Sequence, residues 1–214
     1  METIDIVLCG LEEGKFSEQC IKSIEETADM PYRIIKSFGK GLAENLNEGF
    51  KQVKSEIFGF FQDDWEFIDR DRHWMSTLYN ALKNSPYNYI SAKQIYPNSN
   101  LHCAWFDMNF DNGKFFIKLV GNGDTGDTHS SIKPDHGVPV FIKSQRFREI
   151  GGQDEGFKYS QHEEPDLCLR LGHPLYYGKV RYIHHYGENN VTNGLKTKAG
   201  KENLQLFLNK HVPR

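Results

Sequence analysis

The sequence predicts a single-domain α/β fold built on a mostly parallel central sheet with flanking helices. Three observations predict it. The 214 residues are close to one domain at ~150 residues apiece. Apolar, β-rich runs alternate with segments of helical spacing, and those runs are apolar nearly throughout, as strands covered on both faces are. Apolar residues form 38% of the chain, enough for a packed core, while 26 Lys and Arg against 29 Asp and Glu leave a net charge of −3. That balance lacks the basic excess of a protein held mainly by phosphate-backbone contacts.

Residues 4–9 (Ile-Asp-Ile-Val-Leu-Cys), closed by Gly10, read as a buried strand. Phe16, Cys20, Ile21 and Ile24 follow at helical spacing, and the helix ends before Pro31. Residues 32–38 give the next strand and complete a βαβ unit. Leu42, Leu46, Phe50 and Val53 then mark an amphipathic helix leading into an apolar strand over 57–61, a second such unit. Trp74, Leu78, Ala81 and Leu82 predict a helix, and residues 89–92 a strand. Between 97 and 137 Asn, Asp, Gly and His are dense; 114–120 stands as an isolated strand-like piece. The glycine-rich stretch 121–127 lacks the P-loop spacing and reads as a flexible lid or turn. Residues 179–183 form a late strand. Leu204, Phe207 and Leu208 predict a closing helix in the tail, packed on the domain or on a second subunit of a homodimer.

Cys9, Cys20 and Cys168 sit in apolar patterns and no C-x-x-C spacing occurs, so the cysteines read as reduced core residues. No apolar run approaches the ~20 residues that span a bilayer. The acidic N-terminus lacks the basic start of a secretory signal, and the expected location is the cytoplasm.

Ligands of such sheets gather at the carboxyl ends of the strands. Here those ends are residues 9–12, 37–39 and, above all, Gln62-Asp63-Asp64-Trp65-Glu66. Adjacent carboxylates repel, and a hard divalent cation or hydrogen-bond donors would compensate; by itself the pair also fits a solvated turn. A second grouping is Gly151-Gly152-Gln153-Asp154-Glu155 followed by Glu163-Glu164-Pro165-Asp166-Leu167-Cys168-Leu169-Arg170. Proline favours the first helical position, which makes Glu164 the N-cap and puts Asp166 in the first turn. A carboxylate fixed there can accept a proton, and both acids also fit as capping groups. Arg170 faces Asp166 at i,i+4 as a salt-bridge partner. The third grouping is His184-His185, where consecutive strand residues point to opposite faces and at most one addresses a shared site.

Taken in order, the Asp-Asp pair after an apolar strand, Gly-Gly-x-Asp-Glu, Glu-Glu-x-Asp-Leu-x-Leu-Arg and a late strand-end histidine resemble the family 2 glycosyltransferases over about residues 4–187. The resemblance implies a GT-A fold with a Rossmann-like sheet. Its nucleotide-sugar-binding half would cover 1–95 and its acceptor and catalytic half 96–190, with 191–214 as tail. It implies a nucleoside-diphosphate sugar donor bound through Mn2+ or Mg2+. Gln62-Asp63-Asp64 takes the place of the D-x-D signature, Asp64 matching the metal-binding carboxylate and Gln62 replacing the first acid. His184 matches the late metal ligand, with His185 the alternative, and Glu164 falls on the general base.

On the same resemblance Cys9, Gly10, Glu12, Ser37, Gln62 and Asp63 contact the donor, and Ser37 stands where relatives often carry an acid for the uracil ring. Asn47 and Gly49 support packing beneath the nucleotide, or are an ordinary helix face. Asp154, Glu155 and Trp105 are expected on the acceptor side. The Q-x-x-R-W signature of processive synthases is absent, so the expectation is a non-processive, inverting, metal-dependent transferase acting on a hydroxyl of a glycan or a modified nucleic acid. Two rivals stand beside it. One is a catalytically silent sugar-nucleotide-binding protein on the same fold. The other is a nucleotidyltransferase, which needs a basic loop where Gly10-Leu11-Glu12-Glu13 is acidic.

Overall fold

The computed structural model describes residues 2–68, 73–98, 101–103, 105–111, 114–120, 129–130, 138–159, 161–185 and 190–211, with side chains outside 101–130 and 190–198. The first half alternates as the apolar pattern requires: β1 (Ile4–Gly10), α1 (Lys15–Thr27), β2 (Tyr32–Phe38), α2 (Leu42–Phe50), β3 (Ile57–Gln62), β4 (Trp65–Phe67), α3 (Trp74–Lys83) and β5 (Tyr89–Ile95). The second half adds β6 (Leu101–Cys103), β7 (Trp105–Asp111), β8 (Lys114–Val120), β9 (His129–Ser130), β10 (Pro139–Lys143), α4 (Ser144–Glu149), α5 (Glu163–Leu171), β11 (Leu175–His184) and α6 (Asn190–His211).

The central sheet runs β2-β1-β3-β10-β5-β11-β4, with β6 on β5 and β9 on β11. Parallel pairing joins β1 to β2 and β3, and β11 to β5; β10 and β4 run antiparallel to their neighbours. The sheet is therefore mostly parallel, as expected, with one reversed strand inserted between β3 and β5 and another at the edge. The 114–120 segment is not isolated: β8 pairs antiparallel with β7 through the full length of both. The glycine-rich 121–127 stretch lies outside the described residues.

Strand alternation builds the core on both faces. Ile4, Ile6 and Leu8 of β1 pack with Cys20 and Ile24 of α1 and with Trp74, Met75 and Leu78 of α3. Val7 and Cys9 point the other way, towards Leu46 of α2, Phe147 of α4 and Leu167, Cys168 and Leu171 of α5. Gly49 has a packing reason: a β-carbon there would overlap Val7, so α2 lies closer to β1 than any side chain allows. Phe207 of the closing helix is fully buried and packs on Phe157, while Leu204 faces outward at 36% exposure. Cys9, Cys20 and Cys168 are reduced and buried. Among the described residues no helix is long and apolar enough to cross a membrane.

Candidate active site

The carboxyl ends of β1 and β3 form a cleft lined by Cys9, Gly10, Leu11, Lys40, Leu42, Asn45, Gln62, Asp63, Asp64 and Tyr159. Its floor is built by backbone bonds. The Asp63 N–H donates to Cys9 O at 2.8 Å and the His185 N–H to Asp64 O at 2.9 Å, which ties the acidic turn to β1 on one side and to the end of β11 on the other. Gly10 is needed here. A β-carbon at this position would run into the Asp63 carboxylate and approach the Phe38 ring edge to 2.7 Å. We expect Gly10→Ala to displace Asp63 and to destabilise the fold by about 1–3 kcal/mol, as overpacking does. Donor affinity measured by calorimetry falls with it, and unchanged affinity would show that the Asp63 carboxylate makes no donor contact.

Two contacts draw distant segments onto this turn. Gln62 Nε2 donates to Glu164 Oε1 at 2.5 Å across 102 residues, and His184 Nε2 lies 3.2 Å from Asp64 Oδ2. His184 Nδ1 is 3.2 Å from Gln94 Oε1. An Nδ1–H donated to that oxygen selects the tautomer whose Nε2 lone pair faces Asp64, the arrangement by which outer partners orient a metal-binding imidazole. His185 turns elsewhere, with Nε2 2.9 Å from Glu66 Oε2 and 3.3 Å from Gln19 Nε2. The two histidines thus separate, as consecutive residues at a strand end should.

Among the described residues no group of three His, Cys, Asp or Glu side chains forms a metal cluster. The Asp64–His184 pair nonetheless fits a hard divalent cation of the Mn2+ or Mg2+ kind. Such ions keep water and substrate phosphate oxygens in their shell and need only one or two protein ligands. One carboxylate oxygen and one oriented imidazole nitrogen are the donors that meet here among the described residues.

The helix that carries Glu164 begins two residues earlier than the proline rule predicts. His162 is the N-cap, in the left-handed region at φ 66, and Glu163 opens the helix. Glu164 is therefore inside the first turn rather than its cap. Pro165 is tolerated at the third position because that N–H has no intrahelical partner in any helix. Asp166 does take Arg170, through Nε at 2.8 Å, and also Lys210 at 2.5 Å and His211 at 2.8 Å from the closing helix. Its role here is to bind α6 to α5.

Several expected donor and acceptor residues sit apart from the cleft lining. Glu12 is exposed on the turn after β1. Ser37 is buried against α2 at the level of Gly49. Asp154 pairs with Lys210 at 2.7 Å, and Glu155 Oε1 accepts from Asn47 Nδ2 at 2.9 Å. Both border a second concavity formed with residues 150–153, Arg170 and Lys210. Asn47 secures that loop by bonding both the N–H and the carbonyl of Gln153 at 2.8 Å. Trp105 lies in β7, and its side chain is outside the described set.

Lys40, Asn45 and Tyr159 line the cleft although no motif pointed to them. Tyr159 belongs to a segment with unusual backbone: Tyr159, Gln161 and His162 have φ of 61, 92 and 66. Such values are costly outside glycine and survive where surrounding structure enforces them. Here Asn203 of α6 does so, accepting from Lys158 N–H at 3.0 Å and donating to Lys158 O at 2.9 Å and Gln161 O at 3.1 Å. The Leu42 N–H adds a bond to Tyr159 O at 2.9 Å.

Burial, reinforced by the Asp63 charge, pushes the Cys9 thiol far above its ordinary range. Burial does the same to Cys20, with Asp63, Asp64 and Glu66 adding to it. Burial again dominates at Cys168, where the Tyr89 contact opposes it and the Glu164 and Asp166 charges add to it. These thiols stay protonated, which removes them as nucleophiles beside the site.

No protein-family model matches the chain, and no curated protein matches it in sequence. Solved structures do. GalNAc-T7, crystallised with UDP, GalNAc and Mn2+, superposes with a TM-score of 0.62 at 11% identity over 96% of this chain and 50% of that one. S. aureus TarS 1–349 superposes with a TM-score of 0.65 at 9% identity over 97% of this chain and 64% of that one. The chain thus spans between half and two thirds of the structures it matches. Both structures are of GT-A-type glycosyltransferases, and this chain has the GT-A fold.

Proposed function

We propose that the chain is an inverting glycosyltransferase of the family 2 type, moving a sugar from a nucleoside-diphosphate donor to an acceptor hydroxyl with Glu164 as general base. The observation that carries this reading is the 2.5 Å contact between Gln62 and Glu164. It sets the base candidate beside the strand end whose neighbouring Asp64 meets His184. Mn2+ bound in the GalNAc-T7 structure supports a divalent ion for this fold. Held by Asp64 and His184, such an ion would act as a Lewis acid offsetting charge on the departing diphosphate.

A sugar hydroxyl is a weak nucleophile. Glu164 removes its proton as the oxygen bonds to the anomeric carbon, and the electron pair of the breaking C–O bond leaves with the diphosphate. Attack from the face opposite the leaving group inverts configuration. Gln62 holds Glu164 through Oε1, and an amide serves here better than the commoner acid, since two carboxylates at that separation could not both ionise. Acceptor contact by Asp154 and Glu155 requires those groups to share the bonds they make to Lys210 and Asn47.

Mass spectrometry of the protein incubated with Mn2+, a nucleotide-sugar panel and acceptor alcohols tests the reading. Release of nucleoside diphosphate with the sugar appearing on an acceptor is expected. A panel left unaltered and unbound would overturn it.

A further inference from the structure

The helix that carries Glu164 starts without a side-chain cap. His162 at its N-terminus makes no side-chain bond to the first turn, and the chain arrives there through Tyr159, Gln161 and His162, all at positive φ. Outside glycine such a backbone relaxes to ordinary angles unless its surroundings hold it. The place of Glu164 therefore depends on what holds the segment that leads into α5.

One face of α6 does the holding. Asn203, Phe207, Lys210 and His211 recur at the spacing of successive helical turns and meet the segment in order. Asn203 is 1% exposed. Its Oδ1 accepts from the Lys158 N–H at 3.0 Å, and its Nδ2 donates to Lys158 O at 2.9 Å and Gln161 O at 3.1 Å, so one buried amide ties both sides of the left-handed turn. Gly200, at the same face one turn earlier, lets α6 come this close, because a β-carbon there would overlap Gln161 Oε1. Phe207 is fully buried, packs on Phe157 and sets its ring 6.0 Å from that of His162. Lys210 and His211 reach Asp166 at 2.5 Å and 2.8 Å. The grip thus falls before and after Glu164, which between these points meets Gln62 at 2.5 Å.

We infer that Asn203 is a positioning residue for Glu164: through Lys158 and Gln161 it fixes the left-handed turn from which α5 starts, and so sets the carboxylate where it meets Gln62. The inference rests on the transfer reading above and adds α6 to the machinery of that site. A reacting group misplaced by about 1 Å loses up to roughly a hundredfold in rate.

A double-mutant cycle on the full chain tests it, using Mn2+ with the nucleotide sugar and the alcohol that the parent consumes in the panel above. Asn203→Ala is expected to lower the transfer rate at saturating substrates about tenfold or more in the parent. In the Glu164→Gln background the residual rate, followed over long incubations, stays within about twofold, since residues that act through one another do not add. Lys210→Met decides the matter where Asn203→Ala does not fold, because it leaves Asp166 bonded to Arg170 and His211. It is expected to cost about threefold in the parent and nothing in Glu164→Gln. The same factor in both backgrounds, as a general loss of folded protein would give, or no loss in the parent, overturns the inference and leaves the transfer reading standing. A parent that consumes no member of the panel overturns the transfer reading, and the inference with it.

Discussion

Glu164→Gln is expected to abolish sugar transfer while leaving donor binding intact. Replacing a positioned base costs about 10²–10⁴ in rate, and glutamine removes the proton acceptor with almost no change of shape. The variant amide still offers Oε1 to Gln62 Nε2, so the 2.5 Å contact that fixes the side chain can persist. Its neighbours in α5 are unaffected, because Asp166 carries the links to Arg170, Lys210 and His211. Single-turnover transfer with saturating donor and Mn2+ measures the loss, and calorimetry with the same donor measures what remains. Transfer at the parent rate would mean that the base lies elsewhere. Loss of donor affinity in step with the rate would mean that Glu164 helps to hold the nucleotide sugar and does not act on the acceptor.

How much of this was legible in the sequence follows from what is local. The β1–α1–β2–α2–β3 run could be read because each element carries its own period, and burial on both faces makes its strands continuously apolar. Strand direction could not: an apolar run such as 139–143 looks the same in either sense, and only its place between β3 and β5 makes β10 antiparallel. The β7–β8 hairpin escaped because its pairing depends on a partner that the isolated 114–120 pattern does not reveal. At the helix of Glu164, the proline rule named the wrong cap, since any of the first positions lacks an intrahelical N–H partner and can accept proline.

The site shows the same division. Asp64, His184 and Glu164 were found as separate strand-end and helix-start signals, and it is the pairing of β4 with β11, with His184 in register with Trp65, that brings His184 to Asp64. Gln62 was legible as a substitution in a motif, but its bond to Glu164 was not. Asn45 left a faint trace as a polar residue beside Leu42 and Leu46 on the apolar side of α2, where a buried amide needs partners. Tyr159 left none. It lies between Gly156 and Pro165 without any period, and only the backbone held by Asn203 turns it into the cleft wall.

Asp64→Ala is expected to remove the metal dependence of donor binding, a loss of about 10³-fold if the cation supplies the several kcal/mol typical of such sites. The carboxylate is one of the two side chains offered to the ion, and without it His184 is left as a lone imidazole donor, too little for an oxygen-preferring cation. The local fold should survive, because the bond that ties this turn to β11 runs from the His185 N–H to the Asp64 carbonyl and needs no side chain. Titration of UDP with and without Mn2+ separates the effects: the parent binds far more tightly with the ion, Asp64→Ala binds equally weakly in both, and Glu164→Gln keeps the parent's response. His184→Ala should fall between, since Asp64 alone still presents a charged oxygen. A parent whose affinity ignores Mn2+, or an Asp64→Ala variant that responds to it fully, would move the ion away from this strand end. It would also put the His184 proton on Nε2 rather than Nδ1, making the contact with Asp64 a hydrogen bond that closes the rim of the sheet.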